Sequence, residues 1–184
     1  MTFVRGFKVE CERLVARLRD EMGVHISAPL DMEATASYLE IPVHPLSKLL
    51  EVSGRERTCP RMGEIYCKVS ALTVFDSCHR TIVYNDEHPL PRHRSNMAHE
   101  FAHALLGHPP LASGAGVAAE QLNEKEAAWL GGVLMLTGEQ ARAVVLGGQN
   151  LVSAAAHFQI SPEMLRFRLN VTGAAKQVAE RRRA

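Results

Sequence analysis

No long apolar run occurs in this sequence. Its longest uncharged apolar stretch, Ala127–Thr137, is about half the roughly 20 residues that a helix needs to cross a bilayer. The opening MTFVRGFKVECERLV carries charges where an export signal has an apolar core, so a cytoplasmic protein is expected. Neither sign of charge is in excess: 21 Lys and Arg stand against 20 Asp and Glu, a formal balance of +1. That argues against a chain whose main partner is nucleic acid and against an acidic solvating tail. Cysteine is scarce. Cys11, Cys59, Cys67 and Cys78 contain no Cys-x-x-Cys pair, so neither a disulfide framework nor a thiolate zinc knuckle is expected. There is no internal repeat and no low-complexity tract. What remains, 184 residues with 46% apolar and 22% charged, is an ordinary globular chain: one domain, or one with a small appendage.

Histidine, by contrast, is concentrated. His88, His93, His99, His103 and His108 fall in one short stretch, and the pattern around them sets out the elements. Phe7, Cys11, Leu14, Val15, Leu18 and Met22 recur at helical spacing, predicting a helix from Gly6 to Met22 that Gly23 stops. Asp31 caps a helix over Met32–Leu39, and Ile41–Val43 reads as a short strand. Residues 51–64 are polar and turn-rich, hence a loop. Tyr66–Phe75 and Arg80–Tyr84 read as strands joined by the turn residues Asp76-Ser77, an antiparallel hairpin closed by Pro89 and Pro91. Ser95 is the expected N-cap of a helix to Leu106, ended by Gly107 and Pro109-Pro110. A long helix is predicted over Ala118–Leu136, another from Thr137 or Gly138, and two short ones over Leu151–Phe158 and Ser161–Leu169. The ERRRA tail is expected to fray.

The predicted Ser95–Leu106 helix contains His99-Glu100-Phe101-Ala102-His103, an HExxH motif. Residues four apart lie only about 40° apart round a helix, so both imidazoles can reach one Zn²⁺. Glu100 then sits beside the metal without binding it, where a general base belongs. The extended pattern HExxHxxGxxH needs Gly at 106 and His at 109, and this chain has Leu106 and Pro109. His108 therefore reads as a solvated histidine at the helix end. A third ligand is expected from the next helix, where Glu124, Glu126 and Glu120 are alternatives. Glu124 and Glu126 are about 200° apart round that helix, so both cannot face one ion, and Glu126 reads as solvated. Residue chemistry alone does not separate the three.

The order of HExxH, some twenty residues, then Glu-x-Glu-Ala and an apolar run resembles the ImmA/IrrE family of metallo-endopeptidases. The stretches GFKVECERLVARLRDEMG, PLDMEATASYLEIPVHPLS, RTIVYNDEHPLPRHRSNMAHEFAHALLGHPP, EKEAAWLGGVLMLTGEQARA and MLRFRLNVTG carry the likeness. The resemblance implies an α+β, zincin-like fold: a small antiparallel sheet packed on the HExxH helix and a second ligand helix, with a helical C-terminal subdomain. Residues 1–147 would form the peptidase domain and 148–184 the helix-turn-helix-like subdomain with its basic tail. His99, His103 and Glu124 are implied as zinc ligands and Glu100 as the catalytic residue. One departure stands out. Related sequences place Asn or Asp four residues after the third ligand, where it can bond a zinc-bound histidine; this chain has Ala128. Thr137 likewise replaces the usual proline.

Tyr84, His88 and His93 are the residues available to stabilise an oxyanion, and Arg80–Tyr84 is the expected edge for an extended substrate. The resemblance further implies a protein substrate, a helix-turn-helix transcriptional repressor whose cleavage relieves repression in a mobile element or stress response. The alternatives are a repressor-binding module that acts by sequestration, and a DNA-binding regulator acting through the C-terminal helices. For the latter, Arg166 and Arg168 supply only a weak basic face.

Overall fold

In the computed structural model, residues 3–52, 69–76, 79–110 and 117–181 are described. Their elements are α1 (Phe7–Glu21), α2 (Met32–Tyr38), β1 (Val43–Pro45), α3 (Leu46–Val52), β2 (Ala71–Asp76) and β3 (His79–Tyr84). There follow α4 (Leu90–Leu105), α5 (Val117–Met135), α6 (Gly138–Leu146), α7 (Leu151–His157), α8 (Pro162–Thr172) and α9 (Ala174–Arg181). Helices start where a side chain can satisfy the free N–H groups of a first turn. Asp31, Asn150 and Ser161 accept from Ala34, Val152 and Met164 respectively. Thr137, standing where a proline was expected, forms a reciprocal capping box with Gln140. Much of the predicted loop at 51–64, residues 66–68 of the predicted strand, Ser77, Cys59, Cys67 and Cys78 lie outside the described residues.

The sheet departs from expectation. Its order is β1-β3-β2, with β2 antiparallel to β3 but β1 parallel to it, Val43 opposite Ile82 and Pro45 opposite Tyr84. The sheet is mixed, not antiparallel, and β3 is its central strand, not an edge. The partner of a three-residue strand leaves no local signal in the sequence, because parallel strands are joined by long crossovers. The edges are β1 and β2, and β2, the longer of the two, pairs among the described residues on one side only. Ala71, Thr73 and Phe75 share one face with their register partners Tyr84, Ile82 and Arg80. That face turns towards α4, where Ile82 joins the main core. Leu72 and Val83, on the other face, meet Leu46 in a small separate cluster.

The main core lies between α1, α4 and α5, around Val15, Met97, Phe101, Leu130 and Val133. Phe101 is fully buried. Burying such a ring stabilises by up to about 3 kcal/mol, and it fixes the rotation of α4 so that His99, Glu100 and His103 stay on its partly open side. The C-terminal helices have no core of their own. Ala154, Ala155, Phe158, Leu165 and Ala174 belong to the main cluster. Arg168, fully buried, donates from Nε to Leu136 O at 2.8 Å and from Nη2 to Glu12 Oε1 at 2.8 Å. Glu12 Oε2 also accepts from the Gly138 amide, so one carboxylate ties α1, α6 and α8 together. Arg168 is thus withdrawn from the basic face on which a DNA-reading role would depend. Arg166 is exposed and stands 3.9 Å from Glu163.

Of the ERRRA tail, residues 182–184 lie outside the described residues. Glu180 and Arg181 belong to α9, which buries Ala174 and Val178 after a turn at Gly173 (φ 63°). Two apolar residues four apart are too short a pattern to read as a helix. Among the described residues, no helix is long and apolar enough to cross a membrane.

Candidate metal centre

Helix α4 begins five residues before the Ser95 expected as its cap. Pro89 is the N-cap, and Pro91 sits in the first turn, where its missing N–H would have no helical partner anyway. Helix α4 makes its most extensive contact with α5. Later residues of one helix meet earlier residues of the other, so the two run antiparallel. Gly131 sets their separation: a Cβ there would stand 3.3 Å from the backbone O of Ala98 and from N and Cα of His99. A glycine inside a helix costs about 1 kcal/mol relative to alanine, and here it permits the close approach that brings Glu124 to the histidines.

His99 Nε2 and His103 Nε2 stand 3.1 Å apart. Glu124 Oε2 lies 3.2 Å from the first and Glu124 Oε1 3.3 Å from the second. Ligand atoms at tetrahedral corners around an ion 2.0–2.1 Å away are about 3.3 Å from one another, so the three side chains already hold the spacing that such a site requires. Neutral imidazole is the form that binds metal. Burial, then the neighbouring His99, with Glu124 opposing, pushes His103 down to about 4.

The three face a cavity of about 400 Å³, which Ala71, Leu72, Thr73 and Phe75 of β2 wall on one side. Glu100 lines it too, and its Oε2 accepts a 2.5 Å hydrogen bond from Thr73 Oγ1. Thr73 escaped the sequence reading. Its place on the inward face of an alternating strand was the available signal. Arg80 and Asn123 also line this cavity. Tyr84, His88 and His93 do not; Tyr84 and His93 stack on each other, ring centroids 5.1 Å apart. Glu120 reaches the cavity wall but lies outside the cluster of ligand atoms.

His108 and Glu126 correct two further expectations. His108 is 6% exposed, not solvated, and its Nδ1 lies 3.0 Å from His103 Nδ1. Glu126 is largely buried, with Oε2 3.3 Å from His108 Nε2.

Residues 65–170 match the family model of the IrrE N-terminal-like domain, a peptidase family. The chain belongs to that family. The resemblance read from the sequence is thereby shown, and membership points to a metallopeptidase. The span matched to the IrrE N-terminal-like domain takes in α4, α5 and the cavity between them and ends within α8. No curated protein matches the chain.

Proposed function

We propose that this protein is a zinc-dependent endopeptidase that hydrolyses a peptide bond in a partner protein. The observation that carries the reading is the meeting of His99, His103 and Glu124 at tetrahedral spacing, with Glu100 beside them in the same cavity. Zinc held by those three residues would supply Lewis-acid polarisation of the scissile carbonyl and an acidified water. The chain's own residues do the rest. Glu100 takes a proton from the attacking water and passes it to the leaving amine. Thr73 holds the Glu100 carboxylate from β2, so its orientation is set by the sheet and not by a free rotor. An extended substrate pairs with the free edge of β2, which replaces β3 in that role. Asn123 on the cavity wall is the neutral donor best suited to the developing oxyanion, in place of Tyr84, His88 or His93.

The substrate class, a helix-turn-helix transcriptional repressor, rests on the family resemblance. The test is incubation with any helix-turn-helix repressor encoded next to it. Glu100→Gln should abolish cleavage while the protein keeps its fold and about one zinc per chain. Thr73→Val should lower kcat about tenfold, the worth of one hydrogen bond to a charged group, with zinc content unchanged. Repression relieved equally by Glu100→Gln would establish sequestration instead. Protein prepared without chelator and found free of zinc would overturn the reading.

A further inference from the structure

An imidazole that binds metal through Nε2 carries its proton on Nδ1, and an acceptor for that proton fixes both ring plane and tautomer. Position 128, four residues after Glu124, cannot help: Ala128 is exposed and has no polar side-chain atom. The acceptor comes instead from the end of α4. His103 Nδ1 meets His108 Nδ1 at 3.0 Å, the two rings nearly perpendicular at 71°. On its far side His108 Nε2 meets Glu126 Oε2 at 3.3 Å. A carboxylate only accepts. His108 therefore carries its proton on Nε2 and donates it to Glu126. Its Nδ1 is left to accept from His103 Nδ1–H, and the His103 Nε2 lone pair is directed at His99 and Glu124. Each link fixes the next in one direction.

The backbone makes the same provision. Gly107 turns the chain at φ 68°, Gly107 N–H bonds Ala104 O at 3.1 Å, and His108 N–H bonds His103 O at 3.0 Å. These are the paired bonds of a Schellman helix end. They fold His108 back beneath His103. Arg80 Nη2 then holds the His108 carbonyl at 2.9 Å.

We infer that Glu126 and His108 form a positioning relay that orients His103 for metal binding. The inference rests on the assignment of His99, His103 and Glu124 as the metal site. Zinc affinity is its measure, read by competition with a chromophoric chelator and independent of peptidase activity. His108→Phe and Glu126→Ala should each weaken zinc binding roughly 10–100-fold. The double variant should lose little beyond the larger single loss, because the two act in series. Glu126→Gln keeps a carbonyl acceptor and should stay within about threefold of wild type, whereas Glu126→Met, which fills the same space without an acceptor, should lose as much as Glu126→Ala. Cobalt in place of zinc adds a spectroscopic readout, with d–d bands shifted in Glu126→Ala and restored in Glu126→Gln. If His108→Phe does not fold, the contrast between Glu126→Met and Glu126→Gln decides alone. Wild type binding one zinc, with Glu126→Ala binding it equally tightly, would overturn the relay. A wild type that binds no zinc would overturn the metal site itself, and the relay with it.

Discussion

Replacing Arg168 with Met should lower stability without touching the cavity. The guanidinium is fully buried and makes two 2.8 Å bonds, one to a backbone carbonyl and one to Glu12. Removing one member of a buried ion pair costs about 3–5 kcal/mol. Two considerations reduce that figure. Glu12 is about one-third exposed and keeps its bond to Gly138 N–H, so it can be partly re-solvated. Methionine also fills most of the vacated space and lifts the cost of keeping a cation from water, which pulls the Arg168 pKa down. The net loss is then about 2 kcal/mol. For a chain of this size each kcal/mol moves Tm by about 2–4 °C, so Arg168→Met should melt about 4–8 °C below wild type. Thermal unfolding of wild type, Glu12→Gln, Arg168→Met and the double variant forms a cycle with an expected coupling of about 1–2 kcal/mol. Strictly additive losses, or a Tm for Arg168→Met within 1 °C of wild type, would refute the pairing as a source of stability.

Gly131→Val should force α4 and α5 apart and cost about 1–3 kcal/mol by overpacking, measured by denaturant unfolding of the metal-free protein. Zinc affinity should fall with it, because Glu124 retreats from the histidines. Burial, with Glu12 and Glu126 adding to it, pushes the Cys11 thiol from near 9 up to about 11. Between those values the unfolded chain has released a proton that the folded chain keeps, so stability falls as pH rises. The loss should approach about 2 kcal/mol near pH 11. It should be absent from the alkaline stability profile of Cys11→Ala.

Local chemistry was legible in the sequence and long-range pairing was not. His99, Glu100 and His103 could be read directly because i, i+4 spacing on a helix brings ligands together whatever the rest of the fold does. The cap at Asp31 was equally local, although Ser95, expected to cap α4, lies inside that helix. Glu124 needed the family pattern, since three glutamates within seven residues differ only in how they face another helix. The central place of β3 depends on β1, some forty residues earlier in the chain, and hence was misread as an edge. His108 was dismissed because it fits no ligand spacing from His103. Its actual role depends on the direction of Nδ1, which no residue spacing encodes. Thr73 and Asn123 were missed because a hydroxyl or an amide gains meaning only from the carboxylate or cavity it faces.

The turn at Gly107 gives the segment between His103 and His108 a fixed length. One more residue there would move His108 about 100° round the helix axis or lengthen α4 by about 1.5 Å. One fewer would turn His108 back by the same angle. Termination of the helix and support of its last histidine are therefore a single five-residue measure of chain. Substitutions along it can be graded in effect, whereas an insertion or deletion would abolish both at once.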